Sequence, residues 1–310
     1  MKKIKWPEGK TFAFTIIDDT DHSFVQNIKP IYNLLHDCGM RTTKTVWVNP
    51  SRDDYTGGCL LDDDYLNFVK DLIAKGFEIQ SHSVGSGKFT REEIISGYEK
   101  FKELLGYYPK IHINHGRNPD NIYWGEHRFA PPLSWFIRLL KGPSIFSGEE
   151  KESSYFWGDW CKKHVKYIRG IVFNGICTNS YDKKMPYRVK SKDKYSNYWF
   201  SSSDGHTLNE FTHLISEKNI EKLEREGGFC IAYTHFGLDF TDENGKVNTE
   251  FEGAVKKLSQ RNGWFVPAST LLDFILENKR SNDFASPAFL AKLNLLWLRD
   301  RIIKKIRFGI

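Results

Sequence analysis

Long apolar runs are missing from this sequence. No window approaches the roughly 18 uninterrupted apolar residues of a membrane span, so no part of the 310 residues is expected to thread a bilayer. Cysteines are few and unpatterned: Cys38, Cys59, Cys161, Cys177 and Cys230 are odd in number, scattered and free of any C-x-x-C pair. That argues against a disulfide framework and against a structural zinc knot, and fits a reducing compartment. Tandem repeats and low-complexity tracts are absent too. The opening MKKIKWPEGK carries lysines but leads into a short strand-like run, without the length or the small-residue cleavage site of a secretory signal. The expected location is the cytoplasm.

Excess charge is missing from most of the chain. Between Pro287 and Ile310, six basic residues (Lys292, Arg299, Arg301, Lys304, Lys305, Arg307) face one acid, Asp300, and so account for +5 of the net +6. The remainder is nearly neutral, and nucleic-acid binding loses its main electrostatic support.

What is present is material for a core. With 40% hydrophobic and 15% aromatic residues, the chain can bury a large single domain. Apolar β-rich runs alternate with amphipathic helical ones. TFAFTII, TTKTVWV, FEIQSH and KIHIN read as strands, and VQNIKPIYNLLHDCG, DDDYLNFVKDLIAKG and TREEIISGYEKFKELLG as the helices between them. Thr90 and Glu93 stand in capping-box spacing. Regularity fails from about Arg117 to Lys166, which reads as an insertion shaping a site or a lid. It returns with YIRGIVFNGICT, a helix around EKNIEKLEREGG, the strand FCIAYTH, a helix near 250 to 261, and WFVPASTLLDFILEN. This rhythm predicts βαβ units in an irregular (β/α) barrel of about seven strands over residues 1–278, followed by a basic amphipathic helical tail over 279–310.

The odd polar residues fall in one kind of place. Asp18 and Asp19 end the first strand, His82 the third, His115 and Arg117 follow the fourth, and His235 ends FCIAYTH. In parallel α/β architectures the carboxyl ends share one face, where active sites are built. Carboxylates, imidazoles and a guanidinium collected at one rim are the ingredients for a divalent metal with an activated water.

At these positions the chain resembles the polysaccharide deacetylases, the NodB-homology or carbohydrate esterase 4 group. IIDDTD is similar to their first motif, SHSVGS to the second, RNP at 117–119 to the third and IAYTH to the last, over roughly Thr11 to Asn278. The resemblance implies Asp18 as general base, Asp19 and His82 as ligands of a divalent metal, zinc above all, Arg117 as the group orienting the base, and His235 as the acid protonating the departing amine. It implies hydrolysis of an N-acetyl or O-acetyl group on a polysaccharide or glycan precursor. One departure stands out: the family's second motif has another histidine four residues after the first, and here that position is Ser86. His115 is the expected replacement ligand, with Asp21 and His22 as alternatives. The rival reading is a catalytically degenerate deacetylase-like domain binding glycan or a membrane partner; another is a metal-free hydrolase or lyase using Asp18 and His235.

Other features have plainer readings. Asp21 reads as a helix cap, and Asn114 as a tie for the irregular loop. GSGKFT does not meet the phosphate-loop spacing, because Phe89 follows its lysine. Tyr123, Trp124, Trp135, Trp157 and Trp160 divide between core and sugar-stacking roles, and His206, in a polar loop, is a candidate for contacting substrate. In the tail, Leu295, Leu298, Ile302 and Ile306 recur at helical spacing among basic residues. That is the pattern of an interfacial helix in peripheral contact with the inner face of a membrane, or of a helix packed on the barrel.

Overall fold

The computed structural model describes residues 4–279 and 283–308. Eight parallel strands form its sheet: β1 (Phe12–Asp18), β2 (Thr43–Val46), β3 (Glu78–Ser81), β4 (Ile111–His112), β5 (Tyr167–Phe173), β6 (Tyr198–Asp204), β7 (Phe229–Thr234) and β8 (Gly263–Phe265). β1 pairs with β7 from Ala13↔Phe229 to Asp18↔Thr234, and with β2 at Ile17↔Thr43 and Asp18↔Lys44. Strands 1 to 7 therefore close into a ring. The short β8 fills the gap beside the amino half of β1, at Phe12↔Gly263. The ring has the expected number of strands, seven, and the eighth is a wedge in its floor.

The helices follow from local signals. α1 (Val25–Asp37) and α2 (Asp63–Ala74) stop before Gly39 and Gly76, whose φ values of 70° and 86° suit glycine best. α3 (Arg91–Leu105) begins where the Glu93 carboxylate accepts the Thr90 amide at 2.8 Å. The irregular insert contains α4 (Leu133–Lys141) and α5 (Gly158–His164). After β5 come α6 (Thr178–Tyr181), α7 (Leu208–Leu214), α8 (Glu217–Glu226), α9 (Thr249–Ser259), α10 (Ala268–Glu277) and α11 (Pro287–Phe308). Every residue of β1 is buried, as expected of a strand covered on both faces. Phe12, Phe14 and Ile16 face one hydrophobic cluster with α1, α2 and α9, while Ala13 and Ile17 face another with β4, β5 and α10.

β6 was not expected from the sequence: YWFSSSD is too polar to read as a buried strand. Two of its three serines are satisfied inside, Ser201 Oγ donating to Asp182 Oδ2 at 2.7 Å and Ser203 Oγ to the Gly175 carbonyl at 2.6 Å. The predicted break before the tail includes residues 280–282, which lie outside the described residues. α11 packs on the barrel: Leu293 is buried, Asn294 Nδ2 donates to the Ala130 carbonyl, and Lys304 Nζ meets Asp204 at 2.9 Å and Glu210 at 2.8 Å. Leu295, Leu298, Ile302 and Ile306 face outward. No helix among the described residues is long and apolar enough to cross a membrane.

Candidate metal centre

Barrel closure brings the carboxyl ends of β1, β3, β4 and β7 round one pocket, and the hub of that pocket is Asp21. His115 Nε2 lies 2.7 Å from Asp21 Oδ1, and His82 Nε2 and His235 Nε2 lie 3.2 and 2.9 Å from Oδ2. All four side chains are buried. The loop carrying Asp21 is pinned: His22 takes a positive φ of 57°, and Gly237 packs so closely that a Cβ there would meet the His22 carbonyl at 2.4 Å and Asp21 O at 2.8 Å. Ser83, beside His82, also has a positive φ, 62°. Strained non-glycine backbone at two donor-bearing loops is held in place only because the surrounding structure over-determines it.

Hydrogen-bond accounting locates the ring protons. The Ile113 carbonyl can only accept, so His82 Nδ1, 3.1 Å away, carries hydrogen. Asn118 Oδ1 accepts from the Gly87 amide at 2.8 Å while Asn118 Nδ2 donates to the Gly85 carbonyl at 2.7 Å, which orients that amide group. His115 Nδ1, 3.1 Å from the same oxygen, is therefore a donor too. Neutral rings protonated at Nδ1 present lone pairs at Nε2. Those lone pairs face the oxygens of Asp21, an acceptor-only group when ionised. Acceptors at such distances repel unless positive charge lies between them, as a second ring proton or as a cation. Burial acts to lower the His115 pKa, but the hydrogen bond and charge of Asp21, with Asn118 and Asp53, together outweigh this and raise it. Burial acts to raise Asp21, but His82 and the three imidazole hydrogen bonds hold it well below the usual carboxylate range.

This donor set fits a divalent metal. Asp21, His82 and His115 each offer one ligand atom, all within 4.8 Å of one another. Two imidazoles and a carboxylate are a common catalytic zinc set, and acceptors such as the Ile113 carbonyl and Asn118 Oδ1 on the opposite ring nitrogens are what such ligands ordinarily have.

Two of the expected residues stand elsewhere than the roles expected of them require. Asp19, expected as a ligand, gives both carboxylate oxygens to Arg169, Oδ1 at 3.1 Å from Nη1 and Oδ2 at 2.5 Å from Nη2; its approach to His82 Nε2 is 3.9 Å. Burial would push Asp19 up, yet Arg169 first, then His82 and His235, pull it below its ordinary value. Arg117, expected to orient the base Asp18, sits on the surface, 3.8 Å from Asp54 and over the Tyr55 ring. It does not reach Asp18, because the chain turns outward after His115. Asp18 is committed elsewhere: it accepts from Tyr32 Oη at 2.9 Å and the Phe236 amide at 2.8 Å, and pairs with Lys44 at 3.1 Å, all fully buried. Burial pushes its carboxyl up against those three partners. Asp18 thus braces the rim from beneath.

The remaining residues sort cleanly. Ser86 Oγ donates to Asp53 at 2.6 Å and takes no part in the cluster. His22 turns its ring to Thr56, and Asn114 ties the Ile122 backbone as expected. His112 is buried between Tyr98 and Asn114, with burial pushing it down to about 3. Trp157 and Trp160 stack on Tyr98 in the core, whereas Trp135 is exposed. His206 Nδ1 bonds Tyr233 Oη, its ring 4.5 Å from that of His235. Reading the sequence overlooked Arg169 and undervalued Asp21. An arginine inside the otherwise apolar YIRGIVF was the available signal, since a buried strand keeps a charge only for a partner.

No family model matches the sequence, and no curated protein matches it. Solved structures do match its shape. An allantoinase, Puue, is 11% identical with a TM-score of 0.55, the alignment covering 91% of this chain and 96% of that one. A probable polysaccharide deacetylase from Pseudomonas aeruginosa PAO1 is 11% identical with a TM-score of 0.52, again over 91% and 96%. The fold is that of the NodB-like (β/α) barrels.

Proposed function

We propose that this chain, built on the NodB-like barrel, is a metal-dependent hydrolase that removes an acetyl group, from nitrogen in the first instance, from an amino-sugar-containing glycan or its precursor. The observation that carries this reading is the pair of imidazoles, locked as Nδ1–H donors, whose Nε2 atoms converge on the Asp21 carboxylate. Asp21, His82 and His115 would hold the ion. A divalent cation there supplies Lewis acidity toward an acyl oxygen and toward water, worth several kcal/mol of charge stabilisation.

The chain's own groups do the rest. Asp19 stays ionised at neutral pH under Arg169, and each of its oxygens keeps a lone pair beyond the one that Arg169 occupies. Asp19 Oδ2 accepts the proton of the attacking water, so Asp19 takes the role of base that Asp18 was expected to fill. His235 is oriented by its Nε2 bond to Asp21 Oδ2, and its buried Nδ1 has no protein partner. A proton on the His235 ring passes to the departing nitrogen. At the mouth, the half-buried Tyr55 ring stands edge-on to His115 at 4.7 Å with Arg117 beside it, an aromatic surface of the kind on which sugar rings stack.

The degenerate-domain reading rests on the histidine replaced by Ser86; the His115 bond to Asp21 at 2.7 Å, beside His82, supports the metal-holding reading over it. The test is metal content and acetate release. Purified protein loaded with zinc should hold one equivalent and liberate acetate from N-acetylated oligosaccharides, and His82→Ala and Asp21→Asn should lose both. Wild-type protein that neither retains zinc nor releases acetate would sink the proposal.

A further inference from the structure

A cavity of about 450 Å³ lies between the insert, β5, β6 and α11, lined by Tyr123, Arg128, Lys192 and Trp199 and closed by Leu290 and Leu293 of the tail helix. None of the metal-centre residues lines it. Its volume is that of a small-molecule pocket, but its charge is unusual. The Arg128 guanidinium is stacked among Trp124, Phe129 and Trp297 at 4.4 to 5.5 Å. Its Nε is buried without a hydrogen-bond partner, and among the described residues no carboxylate pairs with it. Burial pushes Arg128 down to about 9, and the charges acting on it, Arg301 and Arg169, have the same sign.

Beside it, Lys192 Nζ is held by the Arg128 carbonyl at 3.0 Å and lies 4.6 Å from the Trp199 ring centroid. Burial pushes its ammonium down to about 7. The carboxylate that acts on Lys192, Glu149, is already taken by His127 Nδ1 at 2.7 Å and the Tyr123 amide at 2.8 Å. Two desolvated cations with no anion between them are unfavourable as they stand. A dianion that accepts from the Arg128 fork and the Lys192 ammonium removes that penalty.

We propose that this cavity binds a phosphate ester whose apolar or ring-bearing part lies against Tyr123, Trp199 and the tail helix. Phosphate suits the pair better than a carboxylate because it matches both charges and the planar guanidinium fork together. Two sources share this chemistry, a soluble organic phosphate and a phospholipid headgroup entering beside α4 and α11.

Isothermal titration of the full chain with phenyl phosphate, inorganic phosphate and phenol tests this. Phenyl phosphate should bind, inorganic phosphate more weakly, and phenol not at all. Arg128→Met and Lys192→Met should each weaken phenyl phosphate by about tenfold or more, the usual scale for a charged hydrogen bond, while His82→Ala binds as wild type does. Arg128→Met should also melt no lower than wild type, since it deletes an unpaired buried charge; should it fail to fold, Lys192→Met and Arg128→Lys carry the comparison. Sedimentation with phosphatidic acid vesicles but not phosphatidylcholine vesicles, lost in the same variants, assigns the lipid source; binding of the soluble ester alone assigns the other. The inference is overturned if neither the ester nor phosphatidic acid binds, if Arg128 and Lys192 variants bind as tightly as wild type, or if binding is lost in His82→Ala and kept in Arg128→Met.

Discussion

Replacing Arg169 with methionine separates the two guanidinium assignments. Arg169 is 6% exposed and its partner Asp19 2% exposed, and the bond is bidentate. Removing the cation strands a carboxylate in a buried site, a loss of about 3–5 kcal/mol in stability at neutral pH. Arg117 is 64% exposed and its partner Asp54 96% exposed, so Arg117→Met should change stability by no more than about 1 kcal/mol. The pH dependence carries the sign. In the wild type the Asp19 pKa is depressed, so its contribution is present above the unfolded-state pKa and is lost as pH falls through the folded one. Without Arg169, burial, already the largest single influence, is no longer outweighed by the partners together, and the folded pKa rises. The variant then loses stability as pH rises above the unfolded value, and recovers toward wild type in acid. Urea unfolding across a pH series reads this directly, and Asp19→Asn combined with Arg169→Met should lose less than the two single changes summed. In acetate-release assays the variant's acid limb should move to higher pH, with turnover down by about 10²–10⁴, the usual worth of a general base. An Arg169→Met protein with wild-type stability and pH profile, or an Arg117→Met protein showing the shift instead, would refute the assignment.

Further predictions rest on other contacts. Asn118→Ala, which frees the His115 Nδ1 donor, should weaken zinc by about 10–100-fold in competition with a chelator, while Ser86→Ala leaves zinc affinity unchanged. Gly237→Ala puts a methyl 2.4 Å from the His22 carbonyl; it should destabilise by about 1–3 kcal/mol in chemical denaturation and lower metal occupancy, because the Asp21 loop must move. Burial raises Asp182 to about 7, above its ordinary 3.8. Its stabilisation is present below about pH 4 and lost as pH climbs to about 7, and Asp182→Asn should flatten the unfolding free energy there by about 1.4 kcal/mol per pH unit.

Much of the site was legible because strand ends are legible. A run such as FEIQSH shows where a buried strand meets its rim, and His82, His115 and His235 were found that way. Partner choice was not legible. IIDDTD contains three carboxylates within four residues, and spacing alone does not say which turns toward Lys44, which toward Arg169 and which toward the histidines. Arg169 was hidden in mid-strand, beside a register shift between Arg169 and Ile171, and its side chain reaches Asp19 at the end of β1. β6 escaped because a run of buried serines looks, in a sequence, like a solvated loop.

By itself the sequence determined the alternation of strands and helices, the face on which polar residues would gather, and the kinds of group available there, because periodicity and strand termini are local properties. The tertiary structure alone decided that Asp21, rather than Asp19, meets the imidazoles and that Arg169, rather than Arg117, holds the neighbouring acid. Those pairings join residues up to 214 positions apart, and only ring closure through β1 brings such residues within hydrogen-bonding distance.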